Sequence, residues 1–320
     1  MKSSQVVRIL TLLVSVGVLA ALVWGVDPRG VIKAFEGARW GFVIATAVLN
    51  VANTGIEAVR WRLLARPTAP HVRVRSTFNA LLAGTLGNVM LPLKLGDGLR
   101  AYVFSEAEAV PFSAAISTVV LDRMLDMSAF VVVAALTALV APLPSAVARV
   151  VLWVVAGLAV GIAVLLLASR RPAGVDREAA SRLGCLATQV ERFRAGLSAL
   201  QKVSVLVPAG GVALLSWVVK MAMVWTMFQA FHLSLPFGAP AVVLIILNLG
   251  IAVVGTPGNV GSFELASVGA LKLFSVPGDV ALSFAAGLHV TEVLPVVGLG
   301  LVLLWSGRLQ LRRLPGAEGA

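Results

Sequence analysis

Charge is what this sequence has least of. Only 13% of its 320 residues are charged, 59% are hydrophobic and the mean hydropathy is +0.95, whereas roughly a quarter of a soluble domain is charged. That scarcity excludes a soluble globular domain. Cysteine is nearly absent as well: the single Cys185 excludes an intrachain disulfide, and it falls in a loop expected on the cytoplasmic side, where it is read as a small residue. Alternating short strands with turn signals are missing, so helices and not a barrel carry the membrane crossings. No paired His/Asp metal spacing, nucleophile elbow, Walker-type loop or acidic nucleotide-sugar motif occurs. The reading is therefore an all-α, polytopic integral membrane protein, not an enzyme, with no cofactor, no metal and no ATP-driven step of its own.

Positive charge is what there is in excess. The net charge is +11, but the basic residues sit in loops between apolar spans and are not gathered on one soluble domain. They are read as topology signals and contacts to anionic headgroups, with no nucleic-acid partner.

Taken in order, Lys2 and Arg8 precede an apolar run from Ile9 to Val26. A signal peptide fits its n- and h-regions. Its length, and the lack of a clear small-x-small site, favour a first transmembrane helix with its N-terminus inside. Asp27 to Arg39 is expected to be a short external loop flanked by Trp24 and Trp40. A second span over about Trp40–Val59 carries Asn50, Asn53 and Glu57 on one helical face; Glu57 either joins that stripe or pairs with Arg60 near the headgroups. A basic segment from Arg60 to Arg75 is placed in the cytoplasm. Phe78–Leu91 is too short to span at about 14 residues, and with Gly84, Gly87, Asn88 and Pro92 it reads as re-entrant. Phe112–Val140 is the next helix, Ala141–Ala148 an external turn, and Arg149–Ala168 returns inside. Ser169–Lys202 is a basic cytoplasmic loop with room for an amphipathic interfacial helix. Val203–Phe231 crosses outward, Ala241–Gly255 and Leu265–Phe274 form a second re-entrant hairpin, and Val280–Trp305 is the last span. The expected count is six full spans and two oppositely oriented hairpins, with both termini in the cytoplasm. The organisation is one membrane domain: residues 1–168 with a hairpin near 78–100, a basic loop 169–202, residues 203–313 with a hairpin near 241–275, and a tail 314–320.

Two broken stretches echo each other, GTLGNVMLPLKLGDGLR (Gly84–Arg100) and GTPGNVGSFE (Gly255–Glu264). Pro92 is followed four residues on by Gly96, and Pro257 four residues on by Gly261. Asp97 and Asp122 are 25 positions apart, as are Glu264 and His289, with Asp126 and Glu292 close beyond. This is the pattern of an inverted repeat, which places a substrate site near the midplane between its halves.

The pattern NxxLPxxxGDxxRAY with a following DRxxD, then PGxxGxFE (Pro257, Gly258, Gly261, Glu264) and a final EVLPVVGLG, resembles the flippase-like membrane domain known from lysylphosphatidylglycerol synthases and related stand-alone proteins. The resemblance covers nearly the whole chain. It implies movement of a phospholipid, polyprenyl-linked or hopanoid-type lipid between leaflets of a bacterial inner membrane or toward the outer envelope, with an envelope-lipid biosynthetic enzyme as a partner. Two positions depart from the family pattern: Lys94 and His289 stand where arginine is usual. Both are poorer forks for a phosphate than arginine. No aminoacyl-transfer domain is expected.

The candidate substrate-binding residues are Asn88, Pro92, Lys94, Gly96, Asp97, Arg100, Asp122, Arg123, Asp126, Pro257, Gly258, Gly261, Glu264, His289 and Glu292. Asp97 and Arg100 are either an interfacial pair at a helix start or, with Lys94, the mouth of a polar cavity. Asn88 either caps a half-helix or meets the headgroup. Asp122, Arg123 and Asp126 lie well inside a span, where charge faces a cavity or another charge; Arg123 can reach Asp126 at i+3. They are read as a structural salt-bridge cluster or as proton- or headgroup-coupled groups. Glu264 opens a half-helix with His289, Lys272 or the Arg123 cluster as its partner, and Glu292 is a second partner for His289. The competing functional readings are an intramembrane lipid-modifying enzyme and a non-transporting scaffold that recruits a synthase through Ser169–Lys202.

Overall fold

The computed structural model describes residues 28–90, 95–140, 145–170, 184–253 and 256–306. The expected first span, Pro92, Lys94 and the arginines after Trp305 lie outside these residues. Among the described residues the chain is helical throughout, with no strand.

The elements are α1 (Pro28–Glu36), α2 (Trp40–Ala65), α3 (Val74–Met90), α4 (Gly96–Glu108), α5 (Phe112–Val140), α6 (Ser145–Arg170), α7 (Gly184–Gly196), α8 (Val203–Ala230), α9 (Ala239–Val253), α10 (Ser262–Lys272) and α11 (Gly278–Trp305). Short 3₁₀ turns cover Leu197–Gln201 and Pro257–Asn259. Four helices, α2, α6 over Val147–Ser169, α8 and α11, are long and apolar enough to cross a bilayer. The 29-residue α5 is longer still but carries Asp122, Arg123 and Asp126. The protein is an all-α polytopic membrane protein.

The expected external loop Asp27–Arg39 is corrected by α1. Pro28 stands in its first turn, where a missing N–H costs nothing. Val31, Ala34 and Phe35 recur at helical spacing and pack on the core, with the Phe35 ring 5.5 Å from Phe231. Within the expected cytoplasmic loop, α7 supplies the helix for which that loop had room.

The two halves meet along α2. Thr46 bonds Thr226 at 2.7 Å and Ser216 donates to Asn53 at 2.8 Å, so α2 and α8 run antiparallel and are stitched by small polar groups. Such groups let helices associate where no hydrophobic force acts between them. Asn50 donates to the carbonyls of Thr291 and Glu292 at 3.0 and 2.6 Å. The first of these is the acceptor left over below Pro295, whose missing N–H interrupts the ladder of α11. The polar face of Asn50 and Asn53 is buried, as the spacing predicts.

Each expected broken segment is a helical hairpin. Between α3 and α4 the backbones touch: a side chain at Gly87 would press on Gly96, and one at Gly84 on Arg100 and the Gly96 carbonyl. Between α9 and α10, Gly250 sits against the Ala266 methyl. The tip of the second hairpin needs left-handed backbone at Gly258 (φ 60°) and Asn259 (φ 58°), and Gly261 is at φ 85°. Glycine and asparagine are the residues that adopt such angles at low cost. Gly258 lies against Val89, near the end of α3, so the second tip reaches the first hairpin.

Candidate functional site

The first group of charges ties α2, α4 and α5 together. Arg60 donates through Nε to Asp122 Oδ1 at 2.8 Å, through Nη2 to Oδ2 at 3.3 Å, and through Nη1 to Asp126 at 2.5 Å. Arg100 donates to Asp122 Oδ2 at 2.7 Å, and its guanidinium lies 3.9 Å from the centre of the Trp61 ring. Arg60, Arg100 and Asp122 are all buried. A buried carboxylate and guanidinium are tolerable only when paired and hydrogen-bonded, and here each arginine closes against the same aspartate.

Several expected pairings are corrected. Asp97 does not pair with Arg100; it takes a fork from Arg123 at 3.1 and 2.6 Å. Asp97 lies in the exposed first turn of α4, while Arg100, one turn deeper, turns into the core against Trp61. Arg123 therefore does not bond Asp126, whose carboxylate shares a helix face with Asp122 and is taken by Arg60. Arg60 itself was assigned to the cytoplasmic segment because the span was ended at Val59. The helix runs on to Ala65, which carries Arg60 inward.

Asn88 accepts from the Gly96 backbone N–H at 2.9 Å. Leu95, the N-cap residue of α4, has no side chain able to cap, so a residue of the preceding helix does this work across the break. Replacing Asn88 with alanine is expected to destabilise the protein by about 1 kcal/mol, the usual cost of a lost cap. Thermal unfolding in detergent measures it, and an unchanged midpoint would remove the capping role.

The second group joins α10 and α11. Glu264 Oε1 meets His289 Nδ1 at 2.6 Å, and Oε2 accepts from the Gly261 N–H at 2.7 Å. That second bond closes the start of α10, where a carboxylate also suits the helix dipole. His289 Nε2 donates to the Gly258 carbonyl at 2.9 Å, and Phe263 stacks on the ring at 4.4 Å. Of the partners weighed for Glu264, His289 is the one bonded. Glu292 does not partner His289, because the imidazole is turned to the hairpin tip and both its nitrogens are engaged there.

Glu292 instead lines a cavity of about 240 Å3 together with Asn50, Asn53, Glu57, Lys220, Asn248 and Asn259. Asn50 and Asn53 lie near the middle of α2, Lys220 near the middle of α8 and Glu292 at the middle of α11. The cavity thus carries polar and ionisable groups at mid-helix beside apolar ones such as Leu244 and Phe263, and is walled by both halves. Lys220 pairs with Glu57 at 3.0 Å and lies 3.9 Å from Asp126, which links the cavity to the Arg60 cluster. Asn53 also donates to Glu57 at 3.2 Å.

Of the residues proposed from sequence, Glu292 lines this cavity. Asp122 and Arg100 lie in the buried cluster, Asp126 joins that cluster to Lys220, and Asp97 with Arg123 forms a half-exposed pair. Gly258, Gly261, Glu264 and His289 form the hairpin latch, with Pro257 in the adjoining 3₁₀ turn. Lys220 was missed. Its signal was visible: a lone lysine inside an apolar span is a site marker by default.

The family described as the lysylphosphatidylglycerol synthase TM region matches residues 8–300. A UPF0104 membrane protein of Methanothermobacter thermautotrophicus is 26% identical over 88% of this chain and 89% of its own length. A second UPF0104 membrane protein of that organism is 22% identical over 89% of each chain. Glycosyltransferase AglD of Haloferax volcanii is 27% identical over 36% of this chain but only 19% of its own. No solved structure matches. With nearly its whole length matched, this chain belongs to the lysylphosphatidylglycerol synthase transmembrane-region family.

Proposed function

We propose that the protein is a lipid transporter of the cytoplasmic membrane, which carries a headgroup across the bilayer through the polar cavity between its two halves. The observation that carries this reading is the cavity itself, with Glu57, Lys220 and Glu292 at mid-span. Ionisable groups at that depth are costly and mark a substrate or ion path, and a site between two halves with broken helices is the arrangement on which alternating access acts. Family membership supports a role in lipid handling. The match to part of AglD extends that role to glycolipids. The α3–α4 and α9–α10 hairpins act as re-entrant gates of opposite orientation, both termini face the cytoplasm, and an envelope-lipid enzyme supplies the substrate.

The test uses purified full-length protein in liposomes of phosphatidylglycerol and phosphatidylcholine with a trace of headgroup-labelled lipid. Addition of a membrane-impermeant quencher is expected to reach label from both leaflets, and the Lys220→Ala protein is expected to slow that exchange at least about tenfold. Tenfold corresponds to about 1.4 kcal/mol, the order of one charged hydrogen bond. Unaltered lipid by mass spectrometry after exchange separates transport from lipid modification. If label in the inner leaflet stays protected with wild-type protein, the transport reading fails.

A further inference from the structure

The donors and acceptors around the cavity are unequal, and that inequality points to a class of headgroup. Among the described residues the cations nearby are already engaged. Arg60 and Arg100 are closed on Asp122, Arg123 is closed on Asp97, and Lys220 is held by Glu57 with Asp126 beside it. Among the lining groups, Asn50 spends both amide N–H bonds on two carbonyls of α11 and Asn248 spends one of its two on Leu244, and both side-chain oxygens are unbonded among the described residues. Among the described residues Glu57 has Oε2 unbonded and the carboxylate of Glu292 has no hydrogen bond. The Asn259 side-chain amide is the one lining carboxamide with no hydrogen bond among the described residues. Among the described residues the cavity therefore presents more free acceptors than donors, and the Glu292 carboxylate has no cation bonded to it.

A phosphate brings acceptors only and a second negative charge, so it would face these oxygens unpaired, which is expensive in a buried site. A headgroup with several O–H donors satisfies them. Carboxylates accept two hydrogen bonds side by side, and a carboxamide both accepts and donates, so neighbouring hydroxyls match Glu292 and Asn259. We propose that this cavity binds the hydroxyl-rich headgroup of a glycosyl or polyol lipid, and that Asn259 and Glu292 set that specificity. The assignment rests on the transport reading for its purpose. The cavity volume of about 240 Å3 is below the roughly 300–1,000 Å3 of sites that enclose a drug-sized ligand. It suits a headgroup whose acyl chains stay in the bilayer.

The test measures binding separately from movement. Full-length protein in detergent is titrated with monogalactosyl diacylglycerol, phosphatidic acid and a phosphate-free lipid carrying a primary ammonium, all with the same acyl chains, and scored by native mass spectrometry. The galactolipid is expected to bind at least about tenfold tighter than phosphatidic acid, tenfold being about 1.4 kcal/mol. Glu292→Gln and Asn259→Gly are each expected to lower galactolipid affinity about tenfold. Glycine keeps the left-handed backbone of Asn259 while removing its amide, so loss of binding is not loss of fold. Equal or tighter binding of phosphatidic acid, tighter binding of the ammonium lipid, or unchanged affinity in both variants overturns the assignment. If another lipid is moved in liposomes while galactolipid does not bind, the headgroup class falls and transport stands. If galactolipid binds but no lipid moves, the site stands and transport falls.

Discussion

Asp122→Asn is expected to lower stability by about 3–5 kcal/mol, the range found when one partner of a buried ion pair is removed. The carboxylate of Asp122 is fully buried and accepts from two arginines at once. Asparagine keeps the shape but withdraws the charge and offers N–H groups to guanidinium donors. Arginine cannot shed its proton, so Arg100 is left as an uncompensated cation against the Trp61 ring, while Arg60 retains Asp126. Thermal unfolding of purified protein in detergent reads the loss. Asp97→Asn is the contrasting variant. Its pair with Arg123 is half exposed, with the arginine side chain 46% accessible, and exposed pairs contribute only about 0–1 kcal/mol. A double variant, Asp122→Asn with Arg100→Met, is expected to recover part of the loss, because it also removes the orphaned cation. If Asp122→Asn unfolds like wild type yet abolishes lipid exchange, the aspartate works on substrate and not on the fold.

The charged helix interior was legible because polar groups in apolar spans have few explanations. Asp122, Arg123 and Asp126 stood out from α5 on that ground, and the Asn50–Asn53–Glu57 stripe followed from helical spacing. The breaks at Gly84–Arg100 and Gly255–Glu264 were legible from length, since segments that short cannot span. Pairing was not legible, because it depends on which way each helix rotates in its packing. Arg60 was misplaced through the boundary of α2: six further residues are helical, and they decide whether Arg60 faces headgroups or Asp122. Local spacing suggested Arg123 with Asp126 and His289 with Glu292. Tertiary contacts gave Arg123 to Asp97, while His289, among the partners the sequence offers for Glu264, is the one bonded. Lys220 was legible as a lone charge within an apolar span, but it lies outside the two repeated motifs. The cavity itself could not be read at all, since it exists only where α2, α3, α8, α9, α10 and α11 and the second tip converge.

Gly96→Ala is the second large effect. A methyl at Gly96 would collide with the Gly84 carbonyl oxygen and with the Asn88 side chain, which lies 2.5 Å away from the new atom. The Gly84 oxygen belongs to the backbone of α3, so relief requires the two arms of the hairpin to separate. Overpacking of this kind costs typically about 1–3 kcal/mol, and displacing Asn88 forfeits the cap as well, about 1 kcal/mol more. Gly98→Ala, two residues on in the same helix, meets nothing within 4 Å and is expected to stabilise α4 by about 0.4–1 kcal/mol. Opposite signs at two glycines of one helix isolate the close approach from helix propensity. The second hairpin offers a stricter version. Gly250→Ala would bring its methyl within 2.5 Å of the Ala266 methyl, a side-chain and not a backbone collision. Adding Ala266→Gly removes that collision, so the double variant is expected to regain most of the lost stability in the same unfolding measurement. No single substitution on the facing helix can do this for Gly96, because the Gly84 carbonyl cannot be mutated away.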